Sequence, residues 1–142
     1  MLAIAWWGAR RMKAVAKVCA NIALVKYWGK VGTTLNIPAV GSISITLGNL
    51  WSETEVEFDE SLPSDTLILD GQSRLDQLGR VTGCLDLLRG RAGVEASARV
   101  VSHNNFPTGA GLASSASGLA ALTIAAARAL ALELSPRSLS II

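Results

Sequence analysis

The residues from Phe106 to Gly118, F-P-T-G-A-G-L-A-S-S-A-S-G, include three glycines and four hydroxyl side chains without a single charge, and an alanine-rich run follows them. A strand, a glycine-rich turn and a helix in that order aim several unpaired backbone N–H groups at one point, and such a point binds phosphate. The helix start adds roughly half a positive elementary charge. Glycines let phosphate oxygens approach with no Cβ in the way. Ser114, Ser115 and Ser117 place hydroxyls in the same turn, as donors to phosphate or, at Ser115, as a magnesium contact. The loop lacks the lysine of G-x-x-x-x-G-K-[ST] and the spacing of G-x-G-x-x-G, so it is neither a Walker-type loop nor a dinucleotide fingerprint. Close helix packing with an N-cap is the plainer use of the same residues and stands beside the phosphate reading.

A second constellation is N-I-A-L-V-K-Y-W-G-K, Asn21 to Lys30, in which Lys26 and Lys30 flank an aromatic pair and Gly29. A lysine is a point charge suited to phosphate, and Tyr27 adds a hydroxyl donor on a rigid ring. An exposed strand end with core aromatics would have the same composition. Taken together, the two stretches suggest two phosphorylated ligands, a nucleotide on the glycine loop and an anionic substrate on the lysines.

The elements that must position these residues follow from periodicity. From Lys13 the chain alternates small or polar with β-branched residues as far as Trp28, interrupted at Asn21, which predicts a strand, a bend and a short second segment. Gly41 to Leu47 and Trp51 to Phe58 both alternate with period two and predict a hairpin with one wet face. Ser64 to Leu69 predicts a short strand closed by the Asp70-Gly71 turn. Leu75, Leu78, Val81, Leu85 and Leu88 recur at three and four and share a helical face, with Gly90 and Gly93 ending that helix. Val94 to Ser102 predicts the strand that enters the glycine loop. Leu112 to Leu132 is rich in Ala and Leu and predicts a helix, and Ser135-Pro136 caps and opens another.

Length and composition set outer limits. At 142 residues, 50% hydrophobic and 17% charged, the chain has enough apolar material for one globular core. Its 13 basic and 11 acidic residues are scattered, without the Lys/Arg stripe of a nucleic-acid binder. The uncharged stretch Asn104 to Ala127 has the length of a membrane span, but Pro107, glycines and hydroxyls fill its first half, which argues against one. Cys19 and Cys84 are too far apart in sequence for a metal-ligand pair, and their apolar neighbours predict buried free thiols in a reducing cytoplasm. Residues 1–11 place their apolar part before their arginines, the reverse of a signal peptide, so Met12 is an alternative start and the first eleven residues an extension. Ser135 to Ile142 reads as a helix cut inside its length, which suggests an N-terminal fragment.

Three stretches in order, N-I-A-L-V-K-Y-W-G-K at 21–30, L-N-I-P-A-V-G-S-I-S-I-T-L at 35–47 and N-N-F-P-T-G-A-G-L-A-S-S-A-S-G at 104–118, resemble the mevalonate diphosphate decarboxylase family. That family belongs to the galactokinase, homoserine kinase, mevalonate kinase and phosphomevalonate kinase superfamily. The resemblance runs from about Met12 to Ile142. It implies an α+β domain of the ribosomal-protein-S5 domain 2-like type, a mostly antiparallel sheet with helices on one face, truncated at its C-terminal end. It implies ATP with Mg2+ and the decarboxylation of mevalonate diphosphate to isopentenyl diphosphate in isoprenoid biosynthesis: the tertiary hydroxyl is phosphorylated, then phosphate and carbon dioxide leave together.

Carried over position by position, the resemblance assigns Tyr27, Trp28, Gly29 and Lys30, with Arg80, to the substrate diphosphate. It assigns Ser102, Gly109, Ala110, Gly111, Leu112 and Ala113, with Ser114, Ser115 and Ser117, to the nucleotide, and it makes Asn21 and Lys26 supporting positions. Gly109 departs from the family's usual T-A-A-G, and the segment Ala39 to Gly41 lacks the Asn or Ser that many members carry. His103 stands where the family often has an acidic residue and is expected to make a loop contact, not to act as a base. Asp70, Asp76 and Asp86 are expected to be surface carboxylates. The family's Gly-Ser-Gly-Ser segment and its catalytic aspartate match nothing in this chain, so turnover by the chain alone is not expected. The resemblance also implies a cytoplasmic protein and, at full length, a homodimer. Two other readings remain at this stage: a sister enzyme acting on the monophosphate or only phosphorylating the 3-hydroxyl, and a truncated remnant that binds nucleotide without catalysis.

Overall fold

Alternation with period two sends Ser52, Thr54, Val56 and Phe58 to one side of a strand and Trp51, Glu53, Glu55 and Glu57 to the other; the first four are buried and the second four reach water. The computed structural model describes residues 12–25, 41–107 and 114–142. Its elements are β1 (Met12–Val25), β2 (Ile43–Asp59), β3 (Thr66–Leu69), β4 (Gln72–Ser73), α1 (Leu75–Ala92), β5 (Ser97–Asn104), α2 (Ser114–Ala129) and α3 (Pro136–Ile141). The strands form one sheet in the order β1-β2-β5-β3-β4, antiparallel except for the parallel pair β3 and β5. The α+β architecture expected from the resemblance is what the chain adopts.

The expected hairpin does not form. Gly41–Leu47 and Trp51–Phe58 belong to one strand, β2, both halves of which pair with β1: Cys19 faces Trp51 and Ala20 faces Leu47. Gly48, Asn49 and Leu50, which resemble a turn in sequence, are absorbed as a bulge at that register shift. The expected break at Asn21 does not occur: β1 is continuous and Asn21 pairs with Thr46, with register shifts on either side, at Cys19/Ala20 and Ala23/Val25.

Asp70-Gly71 does make the tight turn into β4, both residues at positive φ (49° and 79°). Helix α1 runs through Gly90 and stops at Gly93, whose φ of 65° gives the left-handed cap. Its inner face carries Val81, Cys84, Leu85 and Leu88, whereas Leu75, expected on that face, is exposed on the first turn. Strand β5 starts at Ser97, later than expected, and α2 ends at Ala129. Ser135 caps α3 as expected, its hydroxyl accepting from the Ser138 N–H at 3.1 Å.

Helix α2 packs on β1 and β2 through Ala121, Ala125, Ala126 and Ala127, and β1 offers Ala16 and Ala20, all buried. Small residues on both sides let the helix lie close to the sheet. The larger core side chains, Val56, Phe58, Leu85, Leu88 and Val100, are fully enclosed beside this contact; each contributes about 1.5–3 kcal/mol of transfer free energy. The outer sheet face is charged: Lys13 and Glu55 lie 2.8 Å apart and Lys17 sits 3.4 Å above the Trp51 ring. Among the described residues no helix is long and apolar enough to cross a membrane.

Both cysteines are free thiols. Cys84 is buried as expected, and burial pushes its thiol up in pKa, with a hydrogen bond to Thr123 opposing. Cys19 is only half-buried, its thiol 3.7 Å from the Gly48 carbonyl at the bulge.

Candidate functional site

Where β5 ends and α2 begins, the inner face of the sheet changes from apolar to polar. Phe58 and Val56 on β2 give way to Thr54 and Ser52, and Ala98 and Val100 on β5 give way to Ser102 and Asn104. The register pairs Thr54 with Ser102 and Ser52 with Asn104. Both pairs hydrogen-bond through their side chains, at 2.9 Å for the two hydroxyls and 2.6 Å from the Ser52 hydroxyl to the Asn104 carbonyl oxygen. All four side chains are buried. Burying such groups is tolerable because each has a partner.

Above this polar floor lies a cleft of about 290 Å³ between α1, the sheet and the first turns of α2. Arg80, Gln77 and Val81 line it from α1, Leu67 and Leu69 from β3, Val100, Ser102 and Asn104 from β5, and Thr54 from β2. Helix α2 contributes Ser114, Ser115, Gly118, Leu119 and Leu122. One wall is therefore aliphatic and the other carries hydroxyls and an amide. Among the described lining residues Arg80 is the one cation, and there is no carboxylate. With the N-terminus of α2 at one end, this field favours an anion.

The fold thus gathers Arg80, Ser102, Ser114 and Ser115, which the sequence reading took from distant stretches, into a single cleft. Arg80 was expected at the substrate diphosphate, yet it shares this cleft with the residues expected at the nucleotide. Ser117 does not line it: its hydroxyl is buried and donates to the Ser52 hydroxyl at 2.7 Å, the Ser52 proton going to Asn104, with the Ser114 carbonyl 3.2 Å away. Ser117 ties α2 to the sheet, and its hydroxyl is committed there. Asn21 lies on β1, away from the cleft, donating to the Thr46 hydroxyl at 3.1 Å. Lys26, Tyr27, Trp28, Gly29 and Lys30, and the loop residues Gly109, Ala110, Gly111, Leu112 and Ala113, fall outside the described residues.

His103 lies on β5 with its ring on the outer face, where Nδ1 is 3.0 Å from the carboxylate of Asp70 in the β3–β4 turn and the ring packs T-shaped against Trp51. Asp70 also accepts from the Asn104 N–H at 2.9 Å, which ties the β3–β4 turn to the end of β5. Asp76 and Asp86 are exposed and ion-paired, to Arg74 and Arg89. Thr54, Asn104 and Gln77 were not singled out from sequence. Two hydroxyl residues on the dry phase of a strand, Ser52 and Thr54, were the available signal.

Neutral hydroxyl oxygens make poor sole ligands for a divalent ion, and among the described residues no group of three or more His, Cys, Asp or Glu side chains could hold one. The donors fit a magnesium ion that arrives on phosphate oxygens and takes one hydroxyl from the protein.

A family model described as the diphosphomevalonate decarboxylase-like N-terminal domain matches residues 18–142. Diphosphomevalonate decarboxylase of Candida albicans is 44% identical over a 121-residue alignment that covers 76% of this chain and 33% of that relative. A solved structure of mevalonate diphosphate decarboxylase from Staphylococcus aureus is similar with a TM-score of 0.85 and 41% identity, over 92% of this chain and 40% of that one. Another, of MDDEF in complex with MVAPP, AMPPCP and magnesium, gives 0.83 and 43% over 89% of this chain and 39% of that one. The chain spans about a third of the length of the curated relatives it matches.

Proposed function

This chain belongs to the diphosphomevalonate decarboxylase-like N-terminal domain family, and on that premise we propose that its cleft holds the phosphates of ATP for a decarboxylase acting on mevalonate diphosphate. The observation that carries the proposal is the convergence of Ser102, Ser114, Ser115 and Arg80 on one carboxylate-free cleft at the N-terminus of α2. MDDEF, similar over most of this chain, forms a complex with MVAPP, AMPPCP and magnesium, the same three classes of ligand.

Phosphoryl transfer asks a protein mainly for positioning and for stabilisation of charge. The backbone N–H groups of the glycine loop, Gly109 to Ala113, and the hydroxyls of Ser114 and Ser115 are suited to hold phosphate oxygens. Arg80 sets a fixed positive charge across the cleft, where it neutralises either a nucleotide phosphate or the substrate diphosphate. Tyr27, Trp28, Gly29 and Lys30 hold the substrate's diphosphate in this proposal, with Asn21 and Lys26 in support. A magnesium ion on the phosphates, in contact with the Ser115 hydroxyl, would neutralise charge between them. In the whole protein, phosphorylating the tertiary 3-hydroxyl turns a poor leaving group into a good one, and phosphate and carbon dioxide then depart together.

Calorimetric titration of the 142-residue chain with MgATP tests the nucleotide half of this reading. Saturable binding is expected, weakened about tenfold, ~1.4 kcal/mol, by Arg80→Gln and restored in part by Arg80→Lys. No heat of binding at millimolar nucleotide would rule the reading out.

A further inference from the structure

The floor of the cleft carries one hydroxyl proton more than it uses. A hydroxyl has a single proton to give and two lone pairs with which to receive. The Ser52 hydroxyl gives its proton to the Asn104 carbonyl oxygen at 2.6 Å, and the Ser117 hydroxyl gives its own to Ser52 at 2.7 Å. Both of those protons are spent inside the protein. Thr54 and Ser102 form the neighbouring pair on the same face, their hydroxyls 2.9 Å apart, and neither hydroxyl has another hydrogen-bond partner among the described residues. Two hydroxyls joined by one hydrogen bond use one proton between them. The second proton is left over, although both side chains are buried and both line the cleft. The described lining holds no carboxylate to take it, so it is available to a ligand.

Depth decides which of the two residues offers it. Thr54 is 1% exposed and Ser102 8%, so Ser102 is the one nearer to an occupant of the cleft. With Thr54 donating to Ser102, the spare proton sits on the shallower oxygen; the reverse arrangement would strand it on the deeper one. An O–H whose oxygen already accepts a hydrogen bond is also the stronger donor. We propose that Thr54 is a positioning residue for nucleotide binding: it donates to the Ser102 hydroxyl oxygen and thereby holds the Ser102 O–H as a donor to a phosphate oxygen in the cleft. Thr54 itself touches no phosphate in this arrangement. The inference rests on the nucleotide reading proposed above and adds to it a residue that acts only through Ser102.

The test is a double-mutant cycle read on MgATP affinity in the 142-residue chain, with affinities measured where circular dichroism shows each variant folded. Ser102→Ala removes the donor and is expected to weaken MgATP about tenfold, as for a hydrogen bond to a charged acceptor. Thr54→Val keeps the shape and loses the hydroxyl, and should weaken binding about threefold by leaving Ser102 unpolarised and free to rotate. Thr54→Ser restores the hydroxyl and should return affinity to within about twofold of the wild type. In the Ser102→Ala background, Thr54→Val should weaken MgATP no further, because no donor is left to hold. An equal loss in both backgrounds would show that Thr54 acts on the fold at large, and the proposal fails. Unchanged affinity in Thr54→Val, or in Ser102→Ala, overturns it as well. Should Thr54→Val not fold, Thr54→Ala takes its place in the cycle. If the wild-type chain does not bind MgATP, the nucleotide reading falls first and this one falls with it.

Discussion

Ser102 on β5 and Thr54 on β2 share a hydrogen bond of 2.9 Å on the floor of the cleft, with only 8% and 1% of their surfaces exposed. Removing one hydroxyl leaves the other buried with a lost partner, a cost of about 1–3 kcal/mol. Removing both leaves no orphan. Ser102→Ala and Thr54→Val are therefore each expected to lower stability by roughly 1–2 kcal/mol, and the double variant by clearly less than the sum. Urea unfolding of the four proteins closes the cycle; strict additivity would show that the two hydroxyls do not depend on each other. Ser114 and Ser115 were singled out by the glycine-rich stretch and Arg80 and Ser102 by the resemblance carried over position by position, and all four line the same cleft. Thr54 and Asn104 were not singled out, since alternation tells which face a residue occupies but not that this end of the face borders a cleft. The role of Ser117 was hidden for a related reason: its partner Ser52 lies 65 residues away in sequence.

Between elements, the most enclosed charge pair among the described residues joins the segment before β3 to the end of α1. Asp65 and Arg89 meet through two hydrogen bonds of 2.9 and 2.7 Å, and their side chains are 7% and 11% exposed. Asp65 also accepts from the Ala98 N–H and Arg89 donates to the Ala96 carbonyl, so the pair staples α1 and the start of β5 to β3. Burial alone would raise the Asp65 carboxyl, but the Arg89 and Ala98 hydrogen bonds outweigh it and hold the group below the usual carboxylate range. The unfolded chain therefore binds this proton more readily than the folded one. Stability from the staple is present above the ordinary aspartate pKa of about 3.9 and is lost as pH falls through the lower folded value. Asp65→Asn should flatten that acid limb, and Asp65→Ala, which leaves the Arg89 guanidinium with Asp86 and the Ala96 carbonyl but without its enclosed partner, should cost about 1.5–3 kcal/mol at neutral pH. An unchanged acid limb in Asp65→Asn would remove Asp65 from the account. Helix α1 itself was legible because a three-and-four repeat admits one reading. The β2 hairpin was misread because period two specifies a strand and its faces but not its partner. Gly48-Asn49 has turn composition, and only the length of β1, long enough to pair with both halves, makes it a bulge.

At the scale of the whole molecule, binding a nucleotide and completing a decarboxylation make different demands. The described cleft offers hydroxyls, one guanidinium and a helix N-terminus, which are means of holding phosphate. Decarboxylation further needs a group to orient the reacting hydroxyl and carboxylate, and the lining contains no carboxylate to do so among the described residues. This chain covers only about a third of the length of the relatives it matches, which leaves room for such a group in the rest of the family fold. The 142-residue chain is accordingly expected to bind MgATP and to release no carbon dioxide from mevalonate diphosphate. Trapping labelled carbon dioxide from carboxyl-labelled substrate measures this directly, with a full-length family member assayed alongside. Release above the no-protein background by the chain alone would mean that the residues gathered here, from β2, β5, α1 and α2, already suffice for the chemistry. In that case a search for the orienting group should begin with Arg80 and Ser115, the cation and the hydroxyl that face the cleft, because no described carboxylate reaches it.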